Sequence, residues 1–121
     1  MSNTSPSLSL DRLDCYAAAL ALDALVVDAC RGAGRGCAFL TDQAQRASAS
    51  AVLNIAEAMG RDGGDRLHAF RIARGSAFEV DAAMALLAQR GRVSQSRRQE
   101  ARALCARVVA MLTRLCGAPR R

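Results

Sequence analysis

The sequence predicts an all-α fold, an antiparallel up-down four-helix bundle, and three observations carry that prediction. Among 121 residues alanine occurs 26 times and leucine 14 times, against 12 for valine, isoleucine and threonine together, a balance that favours helix over sheet. The two prolines, Pro6 and Pro119, lie near the ends, so nothing between them breaks a helix. Glycines cluster at Gly32, Gly34 and Gly36, at Gly60, Gly63 and Gly64, and at Gly91 and Gly117, which divides the chain into four proline-free segments. Short joints between consecutive helices make antiparallel neighbours. The length suits one domain, read as a bundle over residues 10–117 between an N-terminal tail, residues 1–9, and a basic C-terminal tail, residues 118–121. With 51 % hydrophobic residues, disorder is not the expectation.

The first segment, Leu10 to Arg31, places Leu10, Leu13, Ala17, Leu20, Ala24 and Val27 on one stripe at alternating spacings of three and four, which reads as a bundle seam. The second, Asp42 to Met59, lines up Gln43, Arg46, Ser50, Asn54 and Glu57 on one side. Its other side is small, with Ala44, Ala47, Ala51, Ile55 and Ala58, so a neighbouring helix can approach closely. The third, Gly64 to Gln89, groups Leu67, Phe70, Ala77, Phe78, Met84 and Ala88 with Arg74 and Asp81, and carries Ile72, Val80, Ala83 and Leu87 opposite. Two apolar faces on one helix exceed what a single small core can bury, so self-association is expected. The fourth, Ser96 to Cys116, puts Ala101, Leu104, Cys105, Val108, Met111, Leu112 and Leu115 on one face, with Ser96 and Gln99 spaced as a capping box.

An Arg and an Asp inside an apolar face need partners, because an unpaired buried charge is costly. The polar set Arg46, Ser50, Asn54, Glu57, Arg74, Glu79 and Asp81 therefore reads as a structural network, Arg46 and Arg74 answering the acids and fixing helix register or a subunit joint. The alternative, a ligand site between facing helices, lacks a histidine or metal-ligand spacing among these residues. Gly75 lies inside the third segment, where close approach of another helix would offset its helix-breaking tendency.

Charge is unevenly distributed. Residues 1–60 hold four arginines and six acids, residues 61–89 four of each, and residues 90–121 nine arginines and one acid, Glu100, with no lysine anywhere. Arg90, Arg92, Arg97, Arg98, Arg102, Arg107, Arg114, Arg120 and Arg121 make a candidate nucleic-acid surface, since guanidinium gives planar, bidentate phosphate contacts. The four aromatics, Tyr16, Phe39, Phe70 and Phe78, are not interleaved with them, so base stacking has no platform and binding should be salt-sensitive and poorly sequence-specific. A genome rich in Arg codons would also give such a composition, with the arginines simply solvated.

Catalysis, cofactors and metals are not expected. The single histidine, His68, would have to meet one of five mostly apolar-face cysteines to form a nucleophile pair. Cys15, Cys30, Cys37, Cys105 and Cys116 contain no CxxC pair and read as reduced thiols of a cytoplasmic protein. The glycine-rich run at residues 32–36 lacks a GK[ST] ending and reads as a flexible joint rather than a phosphate loop. No secretory signal or membrane span is expected: the most apolar stretch, Tyr16 to Val27, is short and interrupted by Asp23.

Leu40-Thr41-Asp42-Gln43, Arg46-Ala47, Ser50 and Asn54-Ile55-Ala56-Glu57 with Gly60-Arg61 resemble the second-helix signature of the four-helix-bundle proteins related to the 23S rRNA intervening-sequence protein. Phe70, Ile72-Ala73-Arg74-Gly75-Ser76, Glu79 and the acid Asp81 continue the match, and the resemblance runs from about Leu10 to Leu115. Departures are Ala58 where the family usually has Gly, Met59 where an aromatic is common, Asp81 in place of Glu, and a first joint without the Pro and charged residues often found there. The resemblance implies a cytosolic bundle that assembles into a homopentameric ring and has no established enzymatic activity. Some relatives are encoded within inserts in 23S rRNA genes. Others are accessory variability determinants of diversity-generating retroelements, where a basic pentamer binds nucleic acid and the reverse transcriptase. The partners expected are further copies of the chain, RNA or DNA, and a protein such as a reverse transcriptase. The competing expectation is a protein-interaction scaffold with no nucleic-acid role.

Overall fold

The computed structural model describes residues 10–117; the two tails of the sequence reading, with Arg120 and Arg121, lie outside the described residues. Four α-helices pack together, α1 (Leu10–Arg31), α2 (Ala38–Met59), α3 (Gly63–Gln89) and α4 (Gln95–Leu115), and there is no strand among the described residues. The main packing pairs are α1 with α2, α2 with α3, α3 with α4, and α4 with α1. None of the four helices is long and apolar enough to cross a membrane.

Each helix has a local cause. Asp11 in the first turn of α1 and Arg31 in its last complement the helix dipole. The second helix begins at Ala38, four residues earlier than Asp42, because Cys37 is the residue where the chain turns in: its carbonyl accepts from the backbone N–H of Leu40 (2.9 Å) and Thr41 (3.0 Å). The start of α4 also departs from expectation. Ser94, not Ser96, is the N-cap: its extended backbone (φ −73°, ψ 158°) lets the hydroxyl accept from the Arg97 N–H at 3.1 Å. Ser96 is already inside the helix, so no capping box with Gln99 forms.

The core is assembled mainly from small residues. One half collects Leu22, Val26, Leu40, Ala44, Val80, Met84, Leu87 and Cys105, and the other Cys15, Ala19, Ile55, Phe70, Ala73, Ala77, Val108 and Leu112. The small side of α2 is buried as the sequence indicated, and so are Ala101, Cys105, Val108 and Leu112 of α4.

Two expectations about faces fail. On α1 the buried residues are Cys15, Ala18, Ala19, Leu22, Val26, Ala29 and Cys30, whereas Leu13, Ala17, Leu20 and Ala24 of the expected seam are exposed. The helix is apolar nearly all round, and the alanine and cysteine side allows the neighbouring helices closer. On α3, Phe78 is 59 % exposed rather than buried beside Phe70. Gly75 meets nothing within 4 Å of where a Cβ would stand, so no helix of the same chain approaches it.

The first joint is clasped rather than loose. Arg92 donates from Nη1 to the Ala33 carbonyl at 3.5 Å, and its Nη2 lies 2.8 Å from where a Cβ on Gly36 would be. Gly36 has φ of 104°, a conformation that side-chain-bearing residues rarely adopt. We therefore expect Gly36→Ala to lower stability by about 1–3 kcal/mol. Truncating Phe70, 1 % exposed, to alanine should cost about 3–5 kcal/mol. Urea denaturation followed by circular dichroism checks both.

Candidate functional site

The seven described arginines from Arg90 onward divide into two groups. Four are engaged within the chain. Arg90 stacks its guanidinium 5.3 Å from the centroid of the Phe39 ring, Arg92 clasps the first joint, Arg97 pairs with Asp28 on α1 and lies 3.7 Å from Glu100, and Arg98 lies 3.8 Å from Asp81 on α3. These contacts tie the α3/α4 joint and the start of α4 to the rest of the bundle.

The remaining three, Arg102, Arg107 and Arg114, are exposed. No hydrogen bond or ion pair joins them to another described residue. Arg107 and Arg114 are seven positions apart and so share one side of α4, while Arg102 lies on the other side of an exposed stripe of Ala103, Ala106 and Ala110. The face is thus smooth in the middle and cationic at both edges. Flexible, unpaired guanidinium groups at that spacing can reach phosphate oxygens without first breaking an internal ion pair.

The polar set on α2 and α3 does not form one continuous network within the chain. Ser50 and Ser76 share a hydrogen bond at 2.8 Å, and Asn54 donates to the Ser50 carbonyl at 2.9 Å and to its hydroxyl at 3.2 Å. Glu57 pairs with Arg61 one turn on, at 2.6 Å. Glu79 accepts from Gln43 at 3.1 Å, Arg74 donates to the Thr113 hydroxyl at 3.4 Å, and Asp81 faces Arg98. Neither Arg46 nor Arg74 meets the acids expected for it. Arg46 is exposed, with no hydrogen bond or ion pair to another described residue. The reason is placement: both acid partners on α3 turn toward other neighbours, Gln43 and Arg98, that sit closer.

The sequence reading also missed a buried contact. Ser48, fully buried, donates its hydroxyl to the Asp23 carboxylate at 2.6 Å, fastening α1 to α2. The signal was available: Asp23 interrupts the most apolar stretch of α1, and a charge placed there needs a partner.

Two of the thiols, Cys15 and Cys105, are held protonated by burial. Burial pushes Cys15 up from 9.0 to about 11, opposed by the nearby Arg114, and pushes Cys105 up to about 12, helped by Asp81. The reactive form is the thiolate, which these sites disfavour. His68 is exposed. No group of three or more His, Cys, Asp or Glu that could hold a metal ion occurs among the described residues.

These raised values fix a sign for alkaline stability. Well below pH 9.0 both thiols are protonated, folded or unfolded. As the pH rises from there toward 11 an unfolded thiol loses its proton while the folded one keeps it, so the folded state loses stability. Urea midpoints at about pH 8 and about pH 10 should therefore fall, and Cys105→Ala should reduce the drop. On the surface, Arg107→Ala should leave stability within about 0.5 kcal/mol of the parent, and Ser94→Ala should cost about 1 kcal/mol through the lost cap.

No curated protein matches the chain. The profile of the 23S rRNA-intervening sequence protein family matches residues 11–114, a span that takes in parts of all four helices, the α2 and α3 polar residues and the α4 arginines. The chain belongs to the 23S rRNA-intervening sequence protein family.

Proposed function

We propose that the protein is a non-catalytic, self-associating antiparallel bundle of the cytoplasm, assembled as a ring of five, that binds the phosphate backbone of RNA or DNA through the outer face of α4. The observation that carries the nucleic-acid reading is the set of three exposed, unpaired arginines, Arg102, Arg107 and Arg114, flanking an alanine stripe. The family description, which names an intervening sequence of 23S rRNA, favours a nucleic-acid setting. Repetition of the face around a ring adds weak contacts together through multivalency.

The antiparallel arrangement is supported by the cross-helix pairs. Gln43 meets Glu79 while Ser50 meets Ser76, and Arg74 meets Thr113 while Asp81 meets Arg98. In each case rising numbers on one helix meet falling numbers on the next. Self-association is supported by large apolar side chains left in water, with Leu53 67 % and Phe39 61 % exposed alongside Phe78, Leu13, Leu20, Ile72 and Leu86. The same apolar surface favours the second reading, a scaffold that holds a protein partner without nucleic acid.

Fluorescence anisotropy with structured RNA and duplex DNA at two salt concentrations tests the proposal. The parent should bind more weakly at the higher salt. The triple variant Arg102→Gln, Arg107→Gln, Arg114→Gln should lose about tenfold or more in affinity, and its salt dependence should be shallower by roughly one unit of slope per phosphate contact removed. Absence of binding at low salt, or binding unchanged in the triple variant, would overturn the nucleic-acid reading in favour of the scaffold.

A further inference from the structure

The α1/α2 joint and the α3/α4 joint meet at one end of the bundle. Arg92 in the α3/α4 joint reaches the Ala33 carbonyl and Gly36, and Arg97 pairs with Asp28 near the end of α1. A cavity of about 480 Å³ lies between them, with Arg31, Arg92, Arg97, Ser94 and Asp28 in its lining. Asp28 is the one acid there and is already paired with Arg97, so the lining keeps a surplus of cations. Arg31 and Arg35 are exposed and make no hydrogen bond or ion pair with another described residue. Arg92 gives a single N–H to the Ala33 carbonyl, at 3.5 Å, which leaves most of its guanidinium donors unused. Asp42, beside Cys30, and Glu100, beside Arg97, are the other acids nearby. Arg31, Arg35, Arg90, Arg92 and Arg97 outnumber these three carboxylates.

The same end carries an exposed aromatic ring. Phe39, at the start of α2, keeps 61 % of its surface in water, and the Arg90 guanidinium lies over its ring. The two residues are far apart in sequence, so the expectation that base stacking has no platform fails here: folding sets ring and cation side by side. An aromatic ring bearing a guanidinium accepts a nucleobase of any kind, because every base offers a π face. Bases inside a duplex are already stacked and hide those faces, so such a ring selects unpaired nucleotides.

We propose that this end of the bundle binds single-stranded RNA or DNA, an unpaired base stacking on Phe39 while Arg31, Arg35 and Arg92 hold the neighbouring phosphates. The site is separate from the outer face of α4 and goes beyond the backbone binding proposed there, since it needs none of Arg102, Arg107 and Arg114. Arg92, clasped to the first joint, is the fixed cation. Arg31 and Arg35 have no partner to leave and swing to the phosphates on either side of the stacked base. Arg97 stays with Asp28 and neutralises the one carboxylate that would repel the strand.

Fluorescence anisotropy on the full chain tests this, with oligouridine and oligothymidine as unpaired probes and duplex DNA as the paired one. Phe39→Ala should lose about tenfold in affinity for the single strands and change duplex affinity less than about twofold. Phe39→Trp, which keeps a stacking ring, should bind them as the parent does. Arg31→Gln combined with Arg35→Gln should weaken single-strand binding and make its salt slope shallower by about 1.4 units, for two phosphate contacts removed. The α4 triple variant should keep its Phe39-dependent binding of single strands. Helicity by circular dichroism and mass by light scattering should match the parent in every variant. No binding of any probe would defeat both nucleic-acid readings. Binding of duplex alone, or single-strand binding unchanged in Phe39→Ala, would overturn this site and leave the α4 face standing. A fall in the mass of Phe39→Ala would assign the ring to a joint between subunits and overturn the site as well.

Discussion

The structure depends on the close approach of α2 and α3 through small side chains. Ala44, Ala47, Ala51, Ile55 and Ala58 on one helix and Ala69, Ala73, Ala77 and Val80 on the other are all buried. Alanine loses no side-chain entropy on ordering and lets backbones come near, but it buries little apolar area per residue. A core of this kind is narrow. It has room for one large ring, Phe70, and the other phenylalanines, Phe39 and Phe78, are left at the surface.

That constraint bears on the proposed assembly. Large apolar groups exposed on a small domain lose their hydration cost only by meeting another surface. The exposed groups here are distributed over α1, the α2/α3 side and the α3/α4 side, which suits contacts between unlike faces of identical chains. The arginines obey the same geometry. Those around the α3/α4 joint and the start of α4 engage acids, a carbonyl or an aromatic ring of neighbouring elements, while Arg102, Arg107 and Arg114, further along its outer face, form no ion pair with another described residue.

Much of this was legible in the residues. Among the described residues, helix number, the absence of strands and the ends of α1 and α3 to within one residue follow from proline placement, glycine joints and alanine content. The motif residues around Asn54 and Arg74 pointed to the right family. Faces were harder to assign where a helix is apolar on more than one side. On α1 the periodic leucines marked the outer surface, because alanine and cysteine pack closer and periodicity alone cannot rank two apolar stripes. The cap at Ser94 is local, but Ser94 and Ser96 are equally good cap residues and spacing alone does not choose between them; the fate of each arginine depends on which side chain lies nearest across the bundle, and no spacing along the chain encodes that distance. The Ser48–Asp23 contact was half visible, since a charge within an apolar run implies a partner without naming it.

The central claim is that this alanine-built core is completed by contact between subunits, so that folding and assembly are coupled. The most direct test is the melting temperature measured over a wide range of protein concentration. Coupling predicts that it rises steadily with concentration, because association stabilises only the folded state. A melting temperature independent of concentration, in a sample shown to be monomeric throughout, would contradict the account.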